Sequence, residues 1–243
     1  MSHTEASFAL RDPRSSTTYD LIMNRLTPSD ADLSFLGPLL SSSQEVLDVG
    51  CGTGRVGRHL ATHVNKLVGF DQSPEMLDRY RDQGVPDNVD LILGSVADRA
   101  AFEVNRFDAA IAILGSLNYV EDTLQFTEQL KNVATWVAPN GVVVLDVFST
   151  ESYSTMEGHH KVPIDIDGTL YDLTLDVTFD GKTCTCVTNL STGDETSSGF
   201  TETFLPLTKD ELERAVLRSG LSLHEAGPFD LHPGFHCVVA YQG

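Results

Sequence analysis

Apolar residues recur along this chain in two rhythms. Short continuous apolar runs alternate with stretches in which apolar positions return every three or four residues, the pattern of a βαβ chain whose parallel sheet is covered on both faces. The runs Val46–Val49, Lys66–Phe70, Val89–Leu93, Phe107–Leu114 and Val142–Phe148 predict strands. Between them the spacing predicts helices over Arg55–His63, from Ser73 onward, and over Asp122–Val137. Ser73 can cap the helix that Pro74 opens, Glu75 suits the helix dipole, and Met76, Leu77 and Tyr80 recur toward the sheet. Pro139, Asn140 and Gly141 end the other helix before the next strand. Upstream, helices are predicted over Thr18–Leu26 and from Ser29 to Leu40, while Met1 to Asp20 holds no apolar core.

After Phe148 the rhythm changes. From Val162 to Leu190 it has period two, with turn signals at Asp167-Gly168 and Asp180-Gly181, so antiparallel hairpins are expected and Thr201–Leu205 adds a further strand. A helix over Thr208–Ser219 opens on a capping box of Thr208 and Glu211. The last strands, Leu221–Ala226 and Phe235–Tyr241, are joined too tightly for a crossover helix and must pair antiparallel. The chain therefore reads as one α/β domain: a helical lid over 1–43, a core over 44–150, an antiparallel β insertion over 153–206, and a helix and hairpin over 207–243.

Chemistry concentrates where the first strand ends. Asp48-Val49-Gly50-Cys51-Gly52-Thr53-Gly54-Arg55 places three alternating glycines between a strand and a helix, the arrangement of a loop that turns sharply and lets a ligand touch its backbone. Asp71 ends the next strand, roughly the twenty-residue offset at which a carboxylate meets ribose hydroxyls. Gly52, Gly54 and Gly57 also fit the dinucleotide pattern, which alone is weak. Asp48 beside the turn would repel a pyrophosphate and suits a cation.

At Leu47–Gly54 the chain resembles the class I S-adenosylmethionine-dependent methyltransferases, closely over 46–148 and loosely over 208–243. The resemblance implies a doubly wound, mostly parallel seven-stranded sheet with a C-terminal antiparallel hairpin, and S-adenosylmethionine as cofactor. The β insertion makes the chain architecturally similar to small-molecule enzymes such as the aminosugar N,N-dimethyltransferases. It further implies that Gly50, Gly52, Gly54 and Arg55 line the methionine and ribose side, that Asp71 holds the ribose, and that Ser95, Val96, Gln72 and Met76 flank the adenine. Many relatives carry aspartate where Ser95 stands, so a weaker neutral contact is expected there. Tyr19, in a Tyr-Asp segment of the lid, completes the cofactor set with Asp48 and Leu114.

The transferred methyl should face the loop Leu114–Tyr119, which has neither an Asp-Pro-Pro-Tyr nor a Pro-Cys motif. Methylation of nitrogen or oxygen on a small metabolite, in secondary metabolism, is then the expectation. Tyr19, Tyr119 and His160 are the catalytic candidates, with His159 beside His160 after the fifth strand and His232 and His236 near the terminal hairpin turn. A same-fold protein that binds the cofactor without methyl transfer, and an NAD-dependent oxidoreductase, stay open as alternatives.

Composition adds limits. Sixteen basic and 35 acidic residues give a formal charge of −19, a field that opposes a phosphate backbone, so a small-molecule acceptor and no nucleic acid is expected. Four scattered cysteines suggest a reducing compartment, and with no finger spacing no metal is expected. No stretch approaches the length of a membrane span, which points to a cytoplasmic protein and leaves a homodimer open.

Overall fold

The computed structural model describes residues 7–10, 14–27, 30–193, 198–224 and 228–243. In chain order the strands are β1 (Ser7–Leu10), β2 (Glu45–Val49), β3 (Lys66–Asp71), β4 (Val89–Leu93), β5 (Phe107–Ala112), β6 (Val137–Phe148), β7 (Gly158–Ile166), β8 (Thr169–Phe179), β9 (Cys184–Ser191), β10 (Ser198–Phe204), β11 (Leu221–Leu223) and β12 (Phe235–Gln242). The helices are α1 (Ser15–Leu26), α2 (Asp30–Leu40), α3 (Gly57–Leu60), α4 (Pro74–Asp82), α5 (Thr123–Trp136), α6 (Thr150–Tyr153) and α7 (Lys209–Arg218).

Seven strands form one sheet in the order β11-β12-β6-β5-β2-β3-β4. The neighbours from β4 to β6 run parallel, whereas β12 is antiparallel to both β6 and β11. Its strands read as unbroken apolar runs because successive residues bury opposite faces. Leu47, Val49, Val68 and Phe70 pack with Phe126 and Trp136 of α5 and Leu212 of α7, while Val46 and Leu67 pack with Leu36 of α2, Leu60 of α3 and Tyr80 of α4. The chain leaves β2 toward β3 on one side and returns to β5 on the other. Such a reversal opens a crevice at the carboxyl ends of the strands.

The remaining strands form an antiparallel sheet in the order β1-β10-β9-β8-β7. Its hairpins turn at Asp167 and Gly168 (φ 52° and 81°) and around Gly181 (φ 91°), where the turn signals stand. Cys184, Cys186, Thr188 and Leu190 of β9 are buried in strict alternation. One stretch of the inner face meets Ile22 of α1 through Ile164, Leu173, Leu190 and Phe200. Another meets the end of the main sheet through Phe204, which stacks on Phe148 with ring centroids 4.0 Å apart.

Several elements depart from the pattern. β1 is a strand within the segment expected to be only a helical lid; four residues are too few to show a period, and it exists through pairing with β10, nearly two hundred positions away. The helix expected over Arg55–His63 keeps only Gly57–Leu60, because Thr62 and His63 turn back in three-residue steps, to the carbonyls of His59 and Leu60. β6 opens at Val137, before the Pro-Asn-Gly break, with Asn140 in the left-handed region at φ 65° and a register shift between Phe107 and Ala109. β5 ends at Ala112, two residues early, and β7 starts at Gly158, four residues early. Ser29, residues 11–13 and the end of the strand expected to reach Ala226 lie outside the described residues.

Candidate active site

A cavity of about 470 Å³ opens where β2, β3, β4 and β5 end. Its floor is the glycine loop, in which the three glycines serve different needs. Gly50, Gly52 and Gly54 are left-handed, with φ of 68°, 54° and 82°. A Cβ on Gly50 would stand 2.6 Å from that of Ser116, and one on Gly54 would stand 2.5 Å from the Tyr80 ring. At Gly52 the nearest atom would be the Gly50 carbonyl at 4.0 Å, so this residue leaves open space over the backbone.

Asp71 ties the loop to the end of β3. Its Oδ2 accepts from the Gly52 N–H and its Oδ1 from the Ser73 N–H, both at 2.8 Å. Burial raises the carboxyl's pKa, opposed by the backbone N–H groups of Ser73, Gly52 and Gln72. Asp48 is 4 % exposed and has no hydrogen-bond partner among the described residues. Burial and the nearby Asp71 push it up to about 7, against the pull of Arg55. The buried Thr53 Oγ1 likewise lacks a partner.

Arg55 reaches the cavity wall, yet its Nη1 donates to the Thr27 carbonyl (2.7 Å) and to Asp32 Oδ2 (2.8 Å). The other oxygen of fully buried Asp32 meets His232 Nε2 at 2.6 Å. That contact raises the His232 pKa. This chain of charges fastens Thr27 after α1, Asp32 of α2 and His232 before β12 to the glycine loop.

The adenine-side candidates sit together. Gln72 and Met76 border the start of α4, where the Met76 N–H donates to Ser73 Oγ at 3.2 Å. Ser95 and Val96 border the end of β4; the Ala97 N–H donates to Ser95 Oγ at 3.3 Å. After β5 the chain turns through two left-handed residues, Leu114 at φ 59° and Gly115 at φ 68°. Strain of that kind persists only where the surroundings impose it. Here Asp146 Oδ1 accepts the Gly115 N–H at 3.0 Å, and the Phe148 ring lies 2.5 Å from where a Gly115 Cβ would stand.

The far end of the cavity is aromatic. α1 is docked on α4 because Asp20 accepts from Arg79 Nε (2.6 Å) and Gln83 Nε2 (2.9 Å), and that fixes the neighbouring Tyr19. Tyr19, Phe8 of β1 and Tyr119 line this end, with Tyr19 and Phe8 edge-on at 5.6 Å.

Thus Tyr19, Asp48, Gly50, Gly52, Arg55, Asp71, Gln72, Met76, Ser95, Val96, Leu114 and Tyr119 come together around one cavity. Gly54 lies under the loop against Tyr80 and does not reach it. His160 is outside as well: it sits on β7, where its Nε2 pairs with the Met156 carbonyl at 2.7 Å. His159 pairs with Asp176, and His236 with Asp230 and Glu151, also away from it. Phe8 and Glu202, which bonds Tyr119, carry no motif. Their signal lies in Phe200-Thr201-Glu202-Thr203-Phe204, where alternation puts an acid on the apolar inner face of β10.

The switch-point crevice, the glycine loop, the acid that ends β3 and the terminal antiparallel pair give this chain the fold of the class I S-adenosylmethionine-dependent methyltransferases. Residues 46–141 match the family of methyltransferase domains. A stretch of 102 residues is 34 % identical to dTDP-3-amino-3,6-dideoxy-alpha-D-glucopyranose N,N-dimethyltransferase of Streptomyces fradiae, covering 42 % of this chain and 38 % of that one. Another of 68 residues is 43 % identical to 18S rRNA (guanine-N(7))-methyltransferase of Bos taurus, covering 28 % and 24 %. The chain spans from about a fifth to about half of the length of the curated relatives it matches. The amino pentose methyltransferase CalS10 of Micromonospora echinaspora, solved with S-adenosylmethionine, superposes with a TM-score of 0.77 over 93 % of this chain and 97 % of its own, at 18 % identity, a likeness of fold.

Proposed function

We propose that this chain transfers the methyl group of S-adenosylmethionine to nitrogen or oxygen of a small metabolite. The observation that carries the reading is a single cavity with two unlike ends, the glycine loop with Asp71 and an aromatic end built by Phe8, Tyr19 and Tyr119. The residues fit the cofactor. Gly52 leaves its backbone open, and the buried Thr53 hydroxyl has no partner among the described residues. When bound, the cofactor supplies an electrophilic methyl on a cationic sulfur.

Asp71 would accept the ribose hydroxyls on lone pairs left by the Gly52 and Ser73 N–H groups. Gln72, Met76, Ser95 and Val96 would flank the adenine, and Gly50 would line the methionine side. Asp48, charged at neutral pH once a cation is near, suits the sulfonium. Leu114, Tyr19 and Tyr119 would close the reacting end, aligning the acceptor and excluding water, from which methyl transfer gains most of its rate.

A small acceptor is supported by the roofing of the aromatic end with β1 and by the aminosugar relative. The charge of −19 weighs against nucleic acid despite the rRNA-modifying relative. The described cysteines are free, in keeping with a reducing cytoplasm. Among the described residues no helix is long and apolar enough to cross a membrane. The test is formation of S-adenosylhomocysteine from S-adenosylmethionine with a panel of amines and hydroxy compounds. Saturable cofactor binding with product is expected; no binding of S-adenosylhomocysteine would sink the reading.

A further inference from the structure

Glu202 stands where the fold calls for a hydrocarbon. It shares the inner face of β10 with Phe200 (2 % exposed) and Phe204 (fully buried), and its cross-strand neighbours are Phe8 of β1 and buried Cys186 of β9. Its Oε1 accepts from the Tyr119 hydroxyl at 2.7 Å. Among the described residues no lysine, arginine or histidine pairs with it. Tyr19, Tyr119, Tyr153, Cys184 and Cys186 surround it from α1, the loop after β5, α6 and β9. All are neutral at pH 7, with pKa values raised by burial.

A carboxylate set among apolar groups costs free energy unless a countercharge meets it. Here the protein offers a phenol and the edges and faces of Phe8, Tyr19 and Phe200, rings that contact one another at 5.2 to 5.6 Å. Aromatic walls with one carboxylate suit an ammonium, which gains from both ring faces and charge. A neutral hydroxyl acceptor would leave the carboxylate uncompensated.

Resting on the methyltransferase reading above, we infer that the acceptor is an amine that enters as its ammonium form, and that Glu202 takes its proton through the Tyr119 hydroxyl. The ammonium N–H bond breaks as its proton passes to the Tyr119 oxygen, and the Tyr119 proton moves to Glu202, so the phenol is regenerated and the carboxylate becomes a carboxylic acid. The nitrogen lone pair is then free. A C–N bond forms as the S–C bond of S-adenosylmethionine breaks, leaving S-adenosylhomocysteine and a methylated ammonium. Burial pushes Glu202 up to about 7, opposed by the Tyr119 hydrogen bond, so it can take and release a proton near neutral pH. Tyr119 touches the acceptor; Glu202 acts through it.

The test uses full-length protein with cyclic and sugar amines, each beside the alcohol of the same skeleton. Calorimetry measures their binding with and without S-adenosylhomocysteine, and mass spectrometry follows methyl product across about two pH units centred on neutrality. Amines should bind and be methylated while alcohols are not. Glu202→Gln should weaken amine binding and lower kcat/KM at least tenfold, with affinity for S-adenosylhomocysteine within twofold of the parent. Tyr119→Phe removes the hydroxyl through which the proton passes, so amine methylation should fall at least tenfold and the pH dependence that comes from Glu202 should disappear. Alcohols methylated in preference to amines, amines that neither bind nor react while S-adenosylhomocysteine binds, or a Glu202→Gln protein with unchanged amine binding and pH profile would overturn the inference. Loss of S-adenosylhomocysteine binding by the parent protein would instead undo the cofactor reading beneath it.

Discussion

Asp71→Ala separates the structural task of this carboxylate from the ribose contact proposed for it. Its oxygens hold the Gly52 and Ser73 N–H groups at 2.8 Å, so removal frees two donors and unties the glycine loop from β3. A hydrogen bond to a charged group contributes about 1.5 to 3 kcal/mol. Asp71 is half-buried and burial already raises its pKa, so the low end of that range applies to each bond, and the two together should contribute about 3 kcal/mol of stability. Binding should suffer separately. Losing the ribose contacts should weaken S-adenosylhomocysteine by about 1 to 3 kcal/mol, roughly 5- to 150-fold. Urea unfolding of the ligand-free protein reads the first quantity, and calorimetry below the unfolding transition reads the second. Asp71→Asn should fall between, because its amide oxygen keeps one acceptor while its NH2 group faces the other N–H. Unaltered affinity would refute the ribose assignment; an unaltered urea midpoint would refute the structural one.

Gly54→Ala combines a left-handed φ of 82° with a Cβ 2.5 Å from the Tyr80 ring, and overpacking of this kind should lower stability by about 1 to 3 kcal/mol in thermal unfolding. Asp32→Ala strips the partner from buried Arg55 and from His232, so a loss of about 3 to 5 kcal/mol is expected, read as a lower Tm. Asp48 is raised from 3.8 to about 7 by folding, so the ligand-free native state binds the extra proton in that window and loses stability as pH climbs through it. Asp48→Asn should remove up to about 1.4 kcal/mol per pH unit of that slope in urea titrations between those values, and identical slopes would count against it.

The glycine-loop end of the cavity is legible in the sequence because its determinants are local. Asp48 to Arg55, Asp71, Gln72 and Met76, and Ser95 and Val96 each follow directly on a strand whose apolar run announces it, and the topology then brings the strand ends together. Reach along the chain decides what escapes such reading. β1 is held by its partner β10, and the Arg55–Asp32–His232 chain joins positions 23 and 200 residues apart. Arg55 reads as a ligand contact from its place in the loop, whereas its guanidinium is engaged by Thr27 and Asp32. His160 attracts notice as a titratable group near a strand end, but the strand starts four residues before the pattern predicts and carries it away from the cavity.

The same difference in reach bears on how the two ends of the cavity are specified. Gly50, Gly52 and Asp71 are constrained by backbone geometry, since a side chain at Gly50 collides with Ser116 and the Asp71 carboxylate is spoken for by two N–H groups. No comparable constraint acts at the aromatic end. Phe8, Tyr19 and Tyr119, with Glu202 bonded behind Tyr119, come from a strand edge, a helix, a loop and the inserted sheet, and meet through ring packing and one hydrogen bond. None of them belongs to the β2–β3 pair or to the loop between those strands. On the proposed reading the acceptor can therefore change by substitution in four scattered segments while the glycine loop stays as it is. The acid in the middle of Phe200–Phe204 then serves the acceptor, since Phe200 and Phe204 flank it with hydrocarbon on that face of β10.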